Sequence, residues 1–173
     1  MKFTRKIKEK RGSVLIEAIV GISLVTIGIL GIVSFLTNSS RFYNSSVNNL
    51  KATYLAAEGI EVVKNIIDTN YVKGGDRWNP PANGWYYLDS GTTADSLSPI
   101  PNPPTPSVAQ FVKFDSTSGT YGSTGINTIF RRIVNINDAG GYLSVLSYVS
   151  WNENGSQKQV LLEDHFYDWR PNI

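Results

Sequence analysis

Cysteine is absent from this 173-residue chain, which excludes a disulfide framework, a thiolate metal site and a cysteine nucleophile. Histidine occurs once, at His165, so any Ser-His-Asp arrangement must use that imidazole. Its setting, Glu163-Asp164-His165-Phe166-Tyr167-Asp168, offers carboxylates but no marked nucleophile. A zinc site wants three or four protein ligands, and one histidine beside acidic residues is a poor start. No P-loop, dinucleotide fingerprint or zincin sequence occurs, and Gly119-Thr-Tyr-Gly122-Ser-Thr-Gly125 lacks the lysine a phosphate loop needs, so it reads as a loop. The expectation is a non-enzymatic protein with no catalytic, cofactor-binding or metal-binding residues.

Charge is missing from Ala18 to Leu36, 19 positions in all, close to the roughly 20 apolar residues that span a bilayer core as a helix. Proline is missing before Pro80, so one helix can run from Ser13 to Asp68. Ahead of the apolar run, Lys2, Arg5, Lys6, Lys8, Lys10 and Arg11 face only Glu9, a bias that keeps this flank cytoplasmic. Without that leader 10 Lys/Arg and 13 Asp/Glu remain, a net charge of −3. Bulk charge therefore gives no clear nucleic-acid site, which needs a basic patch or stripe. Within the apolar run, Gly21, Gly28 and Gly31 fit either close helix approach or ordinary membrane-helix composition.

What is present is one carboxylate, Glu17, at the edge of that apolar segment, where an acid is costly. The stretch Arg11-Gly12-Ser13-Val14-Leu15-Ile16-Glu17 resembles the N-terminus of type IV pilins and type II secretion pseudopilins. The resemblance implies a basic leader at 1–12, a transmembrane and filament-core helix at 13–36, and a soluble head at 37–173. It implies that a cytoplasmic-face prepilin peptidase cuts between Gly12 and Ser13, N-methylates Ser13, and leaves Glu17 for filament assembly. The family usually has Phe at the new N-terminus, where this chain has Ser13. Such a cut keeps the span and creates an ammonium four residues from Glu17, about one helical turn.

Beyond the span, Ala52, Leu55, Ala56, Gly59, Ile60, Val62, Val63, Ile66 and Ile67 share one arc of a helical wheel, wide enough to pack on a sheet. Glu58 and Glu61, at i, i+3 on the opposite side, read as surface charge. The run Tyr54-Leu-Ala-Ala-Glu58-Gly-Ile-Glu61-Val-Val-Lys64 is similar to that of minor pilins described as pilus-modification proteins. Seven of the eight prolines fall between Pro80 and Pro106, so 71–125 reads as irregular loop, with one short strand at Trp85-Tyr86-Tyr87-Leu88. Pro99 to Pro106 fits a polyproline II ligand or a plain connector. From Ile126, β-branched residues, a turn at Asp138-Ala-Gly-Gly141 and a hairpin at Asn154-Gly155 predict an antiparallel meander over 126–166. Arg131 and Arg132 fit phosphate binding, or one core-edge and one solvent position on a strand.

The fold class expected is α+β, with a long N-terminal helix, 37–68 of it amphipathic, on a small antiparallel sheet; the resemblance makes this the pilin ladle fold. The function it implies is a minor pilin of a type IV pilus or related filament. Its partners would be other pilins or pseudopilins, the prepilin peptidase/N-methyltransferase, an inner-membrane assembly platform and the lipid bilayer. Its place would be the cytoplasmic membrane, single-pass with the head outside, and then a cell-surface pilus or pseudopilus. The alternatives are a type II secretion pseudopilin, or a non-polymerising membrane-anchored domain displaying the Trp78 to Trp85 loop to a ligand.

Overall fold

A computed structural model describes residues 6–73, 80–100 and 110–169. One helix, α1 (Lys6–Lys73), precedes seven strands, and the chain divides into two compact units, Met1–Ser46 and Val47–Ile173. The architecture is an apolar N-terminal helix plus an antiparallel sheet.

In the first unit every residue from Gly12 to Asn44 is exposed, and the helix is long and apolar enough to cross a membrane. Three of its hydroxyls bond back to the helix itself. Ser23 donates to Ile19 O at 2.7 Å, Thr26 to Ile22 O at 2.8 Å and Thr37 to Val33 O at 2.9 Å. Back-bonding of this kind removes the need for water as a partner.

In the second unit the helix from Val47 to Lys73 lays its predicted arc on the sheet. Ala52, Leu55, Ala56, Val62, Val63, Ile66 and Ile67 are all buried. The helix ends at Lys73, one turn beyond the predicted Asp68. Facing it is a sheet built around β5 (Ile126–Asp138). One edge of β5 pairs from Arg131 to Asp138 with β6 (Leu143–Glu153), which pairs in turn with β7 (Ser156–Phe166). These are the three strands of the predicted meander. The β6–β7 turn has Asn154 at φ 52° and Gly155 at φ 78°, the two positive values that a type I′ hairpin turn requires. Leu143, Val145, Ser147, Val149 and Trp151 alternate onto the helix-facing side, all buried.

The other edge of β5 carries a split strand. Its C-terminal half pairs with β1 (Gly84–Tyr87), through Tyr86 opposite Val134. Its N-terminal half pairs with β3 (Gln110–Asp115), through Gln110 opposite Arg132. The chain thus leaves β5 after Tyr87 and returns to it at Gln110, two residues further along. Outside these halves lie β2 (Ser98–Ile100) on β1 and β4 (Thr120–Gly122) on β3. Strands β1 to β4 all fall in the segment 71–125 that reads as loop. Only β1 is signalled by the sequence. β2 contains Pro99 opposite Tyr86, which an outer strand tolerates because no further ladder needs the missing donor. β4 lies within the glycine-rich Gly119–Gly125 stretch. Trp85 is half-buried against Ile100 and Ile133 on the sheet face away from the helix. Trp78 and residues 101–109 lie outside the described residues.

The helix-facing core is two clusters. One joins Val62, Val63, Ile66 and Ile67 to Tyr86, Leu88, Val134, Ile136, Leu143 and Val145. The other joins Ala52, Leu55 and Ala56 to Val112, Phe130, Val149 and Trp151. Between them lies a polar seam formed by Arg132, Ser147 and the backbone at Gly59.

Candidate functional site

The residues singled out at the N-terminus all lie on α1. Gly12, Ser13 and Glu17 are exposed, and Ser13 and Glu17 stand four residues apart, on one helix face. Among the described residues Glu17 makes no hydrogen bond or ion pair. The Gly12–Ser13 bond is inside the helix, which begins at Lys6 rather than at Ser13, so a peptidase would need these first turns unwound. Glycine lowers that barrier, since it costs a helix interior about 1 kcal/mol relative to alanine. A Cβ built at Gly12 meets nothing within 4 Å, and the same is true at Gly21, Gly28 and Gly31. Packing inside the chain therefore gives no reason for any of these four glycines.

Gly59 is the opposite case. A Cβ there would lie 2.6 Å from Ser147 Oγ, 3.2 Å from Val134 Cγ2 and 3.3 Å from Arg132 Cδ. The helix touches the sheet most closely here, and only a residue without a side chain fits.

Beside it, Arg132 is 2% exposed and directs four hydrogen bonds to three acceptors. Its Nη1 donates to Leu55 O at 2.9 Å and to Glu58 Oε2 at 3.0 Å. Its Nη2 and Nε both donate to Leu88 O, at 2.8 and 3.2 Å. One guanidinium thus ties the helix, the central strand and the chain leaving β1. Glu58 is accordingly no mere surface charge; its half-buried carboxylate neutralises the one buried cation among the described residues. Glu61 does lie at the surface, 3.6 Å from Lys64. Arg131, on the other face of β5, stacks its guanidinium 3.9 Å above the centre of the Phe111 ring. Neither arginine is arranged as a vacant phosphate clamp.

Where β1 and β3 part, Tyr87, Asp89, Thr92, Gln110, Lys113 and Ser123 line an open slot of about 390 Å³ with Arg132. The Arg132 charge in this slot is already paired with Glu58, at 3.0 Å. At the far end of the sheet, His165 Nε2 lies 3.1 Å from Glu163 Oε1, which also accepts from Ser144 Oγ at 2.8 Å. The Ser144 hydroxyl, and then His165, hold the Glu163 carboxyl below the ordinary carboxylate range. Among the described residues no three His, Asp or Glu side chains converge as metal ligands.

No family model, curated protein or solved structure matches the chain.

The Arg132–Glu58 tie was not foreseen. Its only sequence signal is an arginine between Phe130 and Val134 on the inward phase of an alternating strand, where a charge must have a partner.

Proposed function

We propose that this protein is a minor pilin, a non-enzymatic subunit of a type IV pilus or related filament, with the ladle fold of that family. In this reading prepilin peptidase hydrolyses the Gly12–Ser13 amide, Ser13 becomes the N-methylated N-terminus, and the subunit passes from the cytoplasmic membrane into a filament. Its partners are the assembly platform and neighbouring pilins, and the head lies outside the cytoplasm.

The observation that carries the reading is the pairing of an unpacked apolar helix with an acid that has no partner among the described residues. From Gly12 to Asn44 every residue of the helix is exposed. A bilayer serves such a surface, and so does a bundle of identical helices. Glu17 is out of place in either unless a cation meets it, and the ammonium released at Ser13, on the same or a neighbouring subunit, is that cation. Four glycines that the fold itself does not require support the same view, Gly12 as the peptidase's point of access. A simple membrane anchor needs neither Glu17 nor Gly12.

The test is co-expression of the full chain with and without a prepilin peptidase, followed by intact-mass measurement. Loss of Met1 to Gly12, with or without an added methyl, is the expected result, and Gly12→Val should abolish it without releasing the protein from the membrane. Glu17→Ala should be cut normally yet enter filaments poorly. An unchanged mass in the presence of active peptidase sinks the proposal.

A further inference from the structure

We propose that β7 is a self-recognition edge, through which two copies of this chain pair as antiparallel strands centred on Leu161. The inference does not rest on the filament reading: a two-fold axis normal to the sheet reverses the helix on the sheet in the second copy, so the pair joins two heads and not neighbours in one filament or one bilayer.

β7 is an 11-residue strand that, among the described residues, pairs only with β6. Long open edges template further strands, and natural proteins usually blunt them with charge, bulges or proline. β7 has no proline and a regular register against β6 from Ser156 to Phe166. Its charges are Lys158 near one end and Glu163 and Asp164 near the other, an arrangement that two antiparallel copies can satisfy.

The phase of the strand fixes the pairing. The His165 N–H donates to Asp164 Oδ1 at 2.8 Å, so it points to the open edge and not to β6. By alternation the backbone groups of Gln157, Gln159, Leu161 and Glu163 point there too. A two-fold axis at Leu161 sets Leu161 opposite Leu161, Gln159 opposite Glu163 and Gln157 opposite His165 of the second copy. All of these exchange backbone hydrogen bonds. The intervening positions, whose side chains come closest, match as well. Val160 faces Leu162 of the second copy, extending the cluster of Phe130, Val149 and Trp151 on which both residues pack.

Lys158 then faces Asp164 of the second copy, twice over. Moving the axis by one residue to Val160 or Leu162 places Lys158 against Leu162 or Phe166 instead, so the ion pairs select one register. Asp164 is a cap in the single copy. On pairing, the His165 N–H passes to the Gln157 carbonyl of the second copy, and the freed carboxylate meets Lys158. Leu161, 48% exposed, is covered by its own counterpart.

The absence of cysteine makes the test clean. The full chain in detergent is prepared as Leu161→Cys and, for comparison, Ile129→Cys, a residue also 48% exposed but on β5. Opposed residues of a hydrogen-bonded pair lie about 5.5 Å apart at Cα, within reach of a short bismaleimide. Leu161→Cys should cross-link at least about tenfold faster than Ile129→Cys, reflecting the high effective concentration of a specific pair. Adding Lys158→Glu should bring its rate down to the Ile129→Cys level, and adding Lys158→Glu with Asp164→Lys should restore it. Equal rates at the two cysteines, or no recovery in the charge-swapped variant, would overturn the proposal.

Discussion

The two halves of α1 are similar in apolar content yet opposite in what surrounds them. From Gly12 to Leu36 the side chains are apolar on every side and all exposed, and the glycines touch nothing. From Ala52 to Ile67 the apolar side chains form one stripe, nearly all buried, and Gly59 sits against Ser147 with no room for a methyl group. A helix whose apolar residues follow a 3.6-residue period has its partner in the same chain. One that is apolar all round needs a partner elsewhere, in lipid or in other subunits. The same residue type therefore carries different information in each half: Gly59 reports on this fold, whereas a Cβ at Gly12 would meet nothing in it.

Substitutions test that contrast. The largest effect is expected at Arg132→Ala, which strands the Leu88 carbonyl and leaves the Glu58 carboxylate without its cation. Removing one partner of a buried pair typically costs about 3–5 kcal/mol, enough to bring the head near unfolding in a denaturant titration. Glu58→Gln should cost clearly less, because its carboxylate is only half-buried and the carbonyl acceptors of Arg132 remain.

Trp151→Ala should follow closely. The ring is 5% exposed and packs 5.8 Å from Phe130, centroid to centroid, and deleting a buried Trp costs about 3–5 kcal/mol. Trp151→Phe should cost much less, since the indole Nε1 is buried without a hydrogen-bond partner among the described residues. Phe35→Ala, at a position 71% exposed, should leave the melting of the head unchanged. Equal shifts for Trp151→Ala and Phe35→Ala would erase the distinction between the halves.

A smaller effect isolates the close approach. Gly59→Ala should destabilise the head by about 1–3 kcal/mol through overpacking, and Ser147→Ala should recover most of the loss by removing the hydroxyl in its path. Gly21→Ala, which meets open space, should leave the head's stability unaltered. Thermal melts of the two singles and the Gly59/Ser147 double variant measure the coupling directly.

The smallest effect is electrostatic. Glu163 titrates below its ordinary range because Ser144 and His165 favour its charged form. A depressed carboxyl stabilises the fold above its unfolded pKa, and the contribution fades as pH falls through the lower folded value. Ser144→Ala should shift the Glu163 titration upward when followed by NMR, and the acid limb of stability should move with it. An unmoved titration would assign the depression to His165 alone.

The contrast within α1 was legible in the sequence because each half has its own periodicity, none in the first and 3.6 in the second. Strands β5 to β7 were legible for the same kind of reason: Leu143, Val145, Val149 and Trp151 alternate, and Asn154-Gly155 has few conformations other than a tight turn. Strands β2 to β4 were not. Two have three residues each, one contains Pro99, and β3 is bulged between Phe111 and Lys113. Their existence depends on β5 offering an edge, which no local pattern reports. The Arg132–Glu58 tie was hidden by distance: its residues lie 74 positions apart, and Glu58 by itself is indistinguishable from the solvated Glu61. For Gly12, Ser13 and Glu17, the residues themselves carried the reading, and the structure adds what the chain does not supply to them.

The split strand has a consequence for how this head tolerates change. Because β1 and β3 take up nearly adjacent rungs on β5, the stretch leaving after Tyr87 and returning at Gln110 behaves as a graft spliced into one strand. Its ends are held at a fixed spacing by the ladder. Doubling the length of such an insert adds only about 0.6 kcal/mol of closure entropy, while the rungs on either side keep their register. Leu88, pinned by Arg132, marks where the graft is sewn to the host; β2 and Ile100 within it belong to the sheet, so it is between Ile100 and Gln110 that segments of other lengths or compositions can be exchanged without rebuilding it.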